Sequence, residues 1–100
     1  MLSVIGELDL AAAPKVRQAL VTAVQGPAPD VVLDLASVDF IDSSGLGIVL
    51  GAVKRVKANG GRLRVVVAEP QVRGVFELTE LDRILPLAAS VSEAIGAPDG

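Results

Sequence analysis

One hundred residues are enough for one domain with a single core and too few for two. The net charge of −3 and an aromatic share of 2% leave no basic cluster and no stacking platform for a nucleic acid, and the absence of cysteine and histidine removes disulfides, thiol catalysis, thiolate metal sites and the commonest general base. The apolar fraction is 51%, yet no run approaches the roughly 18 apolar residues of a spanning helix: Leu46 to Val53, with glycines at 47 and 51, is the longest candidate.

Because the apolar residues are Val, Leu, Ile and Ala, the composition suits a sheet covered by helices, and the class is read as α/β. No basic stretch follows Met1, so a secretory leader is not expected and the chain reads as cytosolic, with no membrane partner. Residues 1–100 are read as a single domain.

Leu2 to Leu8 alternates weakly and runs into Gly6-Glu7-Leu8-Asp9, which predicts a strand ending at Asp9. Ala11-Ala12-Ala13-Pro14 opens a helix whose Val16, Ala19, Leu20, Ala23 and Val24 share one stripe, with Pro14 tolerated in the first turn; Gln25-Gly26-Pro27 ends it. Asp30 to Leu35 is a short strand apolar on both faces, and Ala36 to Asp42 is read as its connection to the next helix.

That helix puts Leu46, Val49, Leu50, Val53 and Val56 on one face and Lys54, Arg55 and Lys57 in its last turns, where they complement the dipole; Asn59-Gly60-Gly61 stops it. Arg62 to Ala68, centred on three valines, predicts a strand in the middle of the sheet. Pro70 opens a helix with Val72, Val75 and Phe76 inward and an exit over Thr79 to Asp82. Ile84-Leu85 with Leu87 is a short edge strand interrupted by Pro86, Ser90 or Ser92 starts a last helix, and Ala97-Pro98-Asp99-Gly100 is expected to fray.

Strands and helices alternating in this way predict right-handed crossovers and a mainly parallel or mixed four-stranded sheet with about four helices. Ligand crevices of such sheets lie at the carboxyl ends of the strands. Asp9 and Ser43 both fall just past such ends, so residues far apart in sequence are expected on one rim.

The chemistry is expected at Phe40-Ile41-Asp42-Ser43-Ser44-Gly45-Leu46-Gly47, where a strand gives way to a helix. Asp42, Ser43 and Ser44 are all residue types that cap first-turn N–H groups. Gly45 and Gly47 allow close backbone approach, and the positive end of the helix tolerates added negative charge, a serine phosphate above all. A serine hydrolase has no histidine to activate Ser43 or Ser44 and lacks the Gly-x-Ser-x-Gly elbow. A P-loop lacks the Gly-Lys-Ser/Thr that should follow Gly45-Leu46-Gly47. No catalytic residue and no cofactor is expected. Glu7, Asp9, Asp39 and Asp42 are better used as an acidic frame around the serine than as metal ligands, with Asp9 in position to accept a hydrogen bond from the Ser43 hydroxyl. Ile48, with Ala52 and Arg55, falls opposite the core stripe and is read as an outward contact for a partner.

The Ile-Asp-Ser-Ser-Gly-Leu-Gly run, Gly6-Glu7-Leu8-Asp9 before it and Gly60-Gly61-Arg62-Leu63 after it together resemble the STAS family, specifically the small bacterial anti-sigma factor antagonists, over nearly the whole chain. The resemblance implies a non-enzymatic protein that binds an anti-sigma factor serine kinase in its unphosphorylated form, thereby releasing the sigma factor, and that phosphorylation switches off. It implies Ser43 as phosphoacceptor, Asp9 and Asp42 as matching acidic positions, Ser44, Gly45, Leu46, Gly47 and Ile48 as the surroundings of the phosphosite, and a phosphatase to reverse the modification. A scaffold subunit of a transporter or of a stress-sensing complex is the alternative use of the fold. Members of the family carry one more strand ahead of Gly-Glu-Leu-Asp, and only five residues precede Gly6 here. A free sheet edge open to strand exchange or homodimerisation is therefore expected. Glu80 stands where the family commonly has glycine.

Overall fold

Apolar side chains two apart in the strands and three to four apart in the helices leave each element one face to bury, and the chain stacks these faces against one sheet. The computed structural model describes residues 2–85 and 87–96. Along them run β1 (Leu2–Leu8), α1 (Ala13–Ala23), β2 (Asp30–Ile41), α2 (Ser43–Ala58), β3 (Arg62–Val66), α3 (Pro70–Leu78), a 3₁₀ turn (Leu81–Arg83), β4 (Leu87–Ala88) and α4 (Val91–Gly96). The strands lie in the order β1-β2-β3-β4 and every neighbouring pair is parallel. Pro86 and the tail expected to fray lie outside the described residues.

One face of the sheet carries Leu8, Leu33, Leu35 and Val65 against α1, α2 and α3, with Val16, Leu20, Val49, Val53, Val56, Val72 and Phe76 from the helices. Full burial of a Val, Leu or Phe side chain contributes about 1.5–3 kcal/mol. The opposite face has a smaller cluster in which α4 lays Ala94 and Val91 over Val66, Ala88, Val32 and Ala36. Ser90 starts α4, its Oγ accepting the Glu93 amide at 3.1 Å, and Arg64 donates to the Ala94 carbonyl near the end of that helix.

β2 is longer than its sequence pattern indicates. The alternation of buried residues holds at Leu33 and Leu35 and then slips to a spacing of three, Val38 and Ile41. Register shifts between Ser3 and Ile5 and between Gly6 and Glu7 account for the slip: β2 spends an extra residue at each while β1 runs straight on. Residues 36–41, expected as a connection, are therefore strand. Gly6 sits at one shift with φ +90°, a conformation that favours glycine.

Ile48, expected on the outward face of α2, is turned inward. It is 5% exposed, as is Ala52 at 6%, so neither faces outward. One buried stripe is what a helix packed on the sheet alone needs, but α1 and α2 also pack side by side. α2 thus buries a second stripe, while Leu46 and Leu50 of the expected stripe are only half-buried. At the exit of α3, Glu80 adopts the left-handed φ of +62° that glycine would take at less cost.

Candidate functional site

Asp42 is the residue that joins the two ends of the site. It precedes α2 in an extended conformation, and its Oδ1 accepts the Gly45 amide at 3.0 Å, the side-chain cap of a helix start. Its Oδ2 accepts the Leu10 amide at 3.1 Å, and its own amide donates to the Leu8 carbonyl at 3.3 Å. One carboxylate therefore ties the loop after β1 to the mouth of α2, which places Asp9 and the serines on one rim. Of the three residue types able to cap here, the structure uses Asp42 and leaves the two hydroxyls free for other work.

Ser43 is exposed and Ser44 half-buried, and neither side chain forms a hydrogen bond among the described residues. The first-turn amides of Gly45 and Leu46 are taken by Asp42, the latter through its carbonyl at 3.0 Å. Those of Ser43 and Ser44 have no partner among the described residues. The rim therefore presents a solvent-facing hydroxyl beside two open N–H donors at the positive end of a 16-residue helix.

Gly45 is buried, and the reason is the neighbouring strand end. A methyl there would collide with the Leu8 carbonyl oxygen and stand 2.8 Å from Ile41 Cγ1 and 2.9 Å from Leu8 Cγ. The close approach suggested by the glycine is thus between the helix start and β1. Gly47 lies on the exposed side of α2 with open space around it.

Asp9 spends its carboxylate on its own turn, Oδ1 accepting the Ala12 amide at 3.0 Å. The expected hydrogen bond from the Ser43 hydroxyl is not formed. Asp9 is also the main influence on Glu7. A side-chain hydrogen bond shared with Asp9, the Asp9 charge and, as smaller causes, a slight loss of solvent and the Asp39 charge hold the Glu7 carboxyl above its usual value. The folded chain therefore keeps the Glu7 proton more tightly than the unfolded chain. This contribution to stability is full in acid and is lost as pH rises through the raised value. At neutral pH the rim is a crowd of like charges before any phosphate arrives. Among the described residues no three of these carboxylates are disposed to hold one metal ion.

Two apolar residues near this rim stand out in the structure, Leu10, which sequence did not single out, and Phe40, which heads the stretch where the chemistry is expected. Leu10 follows Asp9 directly and is 72% exposed, and Phe40, opposite Glu7 in the β1–β2 ladder, is 49% exposed. An apolar side chain in a loop directly beside Asp9 was the available signal for the first. The outward side chain of Phe40 follows from the register slip. No helix among the described residues is long and apolar enough to cross a membrane.

The family model for the STAS domain matches residues 1–94. The chain is 35% identical over 83 residues to the anti-sigma F factor antagonist of Paenibacillus polymyxa, covering 82% of this chain and 71% of that one. Its fold matches the crystal structure of an anti-sigma factor antagonist from Mycobacterium paratuberculosis with a TM-score of 0.86 at 35% identity, over 95% of this chain and 80% of the other. The Bacillus cell fate determinant SpoIIAA in its phosphorylated form matches with a TM-score of 0.71 at 33% identity, over 93% and 84% of the two chains. With the α/β architecture and the Asp42-capped serine turn in place, these matches identify the chain as a member of the STAS domain family.

Proposed function

We propose that the chain is an anti-sigma factor antagonist, a regulatory protein and not an enzyme, whose unphosphorylated form binds an anti-sigma factor serine kinase and whose binding ends when Ser43 is phosphorylated. The observation that carries this reading is the exposed Ser43 hydroxyl at the mouth of α2, next to unpartnered N–H donors and on the same rim as Asp9. Names of relatives that share the fold supply the class of partner. The site of action is the cytoplasm, where sigma factors work.

In the transfer, the Ser43 oxygen takes the γ-phosphoryl group of ATP, the hydroxyl proton leaves to a base of the kinase, and ADP departs. About 1.5 to 2 negative charges are added. The Ser43 and Ser44 amides offer the phosphate a seat that leaves the fold undisturbed. Asp42 cannot swing away, because both its oxygens are engaged. The new charge is therefore felt at the surface, where a closely packed partner meets bulk and repulsion. With Ile48 inside, Leu10 and Phe40 are the apolar side chains that such a partner can reach. A phosphatase restores the binding form.

Incubation with the kinase and ATP, followed by mapping of the phosphopeptide by mass, is expected to place one phosphate on Ser43. A chain that binds the kinase yet is never phosphorylated favours the alternative, a docking subunit of a transporter or stress-sensing complex.

The sheet edge supports self-association as well. β1 has no strand outside it among the described residues, and a groove of about 320 Å³ runs between that edge and α1. Ile5 on this strand is 82% exposed. Pairing β1 antiparallel with a second copy about Ile5 sets Ser3 opposite Glu7 on both sides of the centre. Light scattering is expected to show a dimer at high concentration that Ile5→Lys dissolves; a monomer throughout removes the proposal.

A further inference from the structure

The outer surfaces of α1 and α2 have one sign of charge. The two helices carry Lys15, Arg17, Lys54, Arg55 and Lys57 and no acid at all, although the chain as a whole is at −3. All five are exposed, and none forms an ion pair among the described residues. Read linearly they fall into separate groups; folding brings two of them, Arg17 and Arg55, to one cleft where α1 and α2 pack together. The carboxylates of Glu7, Asp9, Asp39 and Asp42 gather elsewhere, at the strand ends.

Between these helices lies a cleft of about 130 Å³. Its floor is apolar, from Leu20 and Ala52, its α2 wall is opened by Gly47 and Gly51, and Arg17 and Arg55 stand at its margins. An apolar cavity of about 150 Å³ holds one benzene, so this slightly smaller cleft takes one side chain of about Val or Leu size. Gly51 stands two turns along α2 from Ser43, about 12 Å along the axis, within the footprint of one partner surface.

We infer that the α1–α2 cleft is a second docking point for the anti-sigma factor, receiving an acidic amphipathic segment that seats one apolar side chain over Gly47 and Gly51 and sets its carboxylates against Arg17 and Arg55. The inference rests on the proposed function and adds to it a specificity element remote from the phosphosite. A nucleic acid would lack aromatic side chains to stack on, since the chain has two Phe and no Trp or Tyr. An anionic membrane would need an apolar helix face to enter the interface, and none of the exposed large apolar residues lies on α1 or α2.

The two glycines make the test clean. A Cβ at position 51 meets nothing within 4 Å and the position lines the cleft, so Gly51→Leu enters it from α2 without a backbone clash and replaces a poor helix former by a good one. With the purified anti-sigma factor kinase as probe, Gly51→Leu and Arg55→Glu are each expected to weaken binding about tenfold or more, with the Gly51→Leu melting temperature no lower than that of the parent. Parent-like binding by both variants overturns the cleft assignment and leaves the antagonist reading standing. A parent chain that fails to bind the kinase overturns both. Arg17- and Arg55-dependent capture on phosphatidylglycerol vesicles, with kinase binding unaffected by either variant, assigns the surface to lipid and overturns the inference.

Discussion

Ser43→Asp is expected to lower affinity for the anti-sigma factor kinase about 100-fold or more while leaving the fold as stable as the parent to within about 1 kcal/mol. Two effects of the same charge oppose each other in the free protein. An acid in the first turn of α2 gains about 0.3–1 kcal/mol from the helix dipole, and the neighbouring Asp42 carboxylate, held in place by its two hydrogen bonds, opposes that gain. In the complex only the cost remains, because the partner must close over a charge whose surroundings already repel it. Like charges brought together at an interface cost several kcal/mol, and each 1.4 kcal/mol is about tenfold in affinity. Kinase titration of the variant beside a thermal melt checks both halves. A variant that melts far below the parent would show that position 43 serves the fold instead of the interface.

Gly45→Ala is expected to destabilise the chain by about 2 kcal/mol or more, and Gly51→Ala to stabilise it by up to about 1 kcal/mol. Both glycines lie in α2, where alanine is the better helix former by about 1 kcal/mol. The difference is what surrounds them. The methyl at position 51 enters open space, while the one at 45 meets the Leu8 carbonyl and the Ile41 and Leu8 side chains. Forcing atoms into a packed site costs about 1–3 kcal/mol and sometimes more. Here the obstacle includes backbone that β1–β2 pairing and the Asp42 amide hold in place. For a domain of this size a loss of 2 kcal/mol lowers the melting temperature by about 10 °C. Equal melting temperatures for the two variants would mean that the close approach of α2 to β1 is wrong.

The order of elements, the parallel sheet and the placing of the β1 end and the α2 start on one rim were legible because each depends on local periodicity and on strand ends, which a linear pattern carries. β2 was cut short at Leu35 because a bulge changes the spacing of buried residues from two to three at Val38 and Ile41. Ile48 was placed outside because its burial is decided by α1, a neighbour that the α2 sequence does not encode. The same helix pairing hid the basic surface around Arg17 and Arg55. At the site, sequence identified which residues could cap α2 but not which one does; that Asp42 also holds the Leu10 amide is tertiary information. Glu80 is left-handed at φ +62°, a conformation that costs a non-glycine residue about 1 kcal/mol and that nothing in the local pattern around Thr79 to Asp82 indicates.

The most direct test is a calorimetric titration of the anti-sigma factor kinase into two samples of this chain, one unmodified and one carrying a phosphate mapped to Ser43. Tight binding by the first and none measurable by the second, with superimposable circular dichroism, is the predicted result. Equal affinity for both samples would contradict the account at its centre.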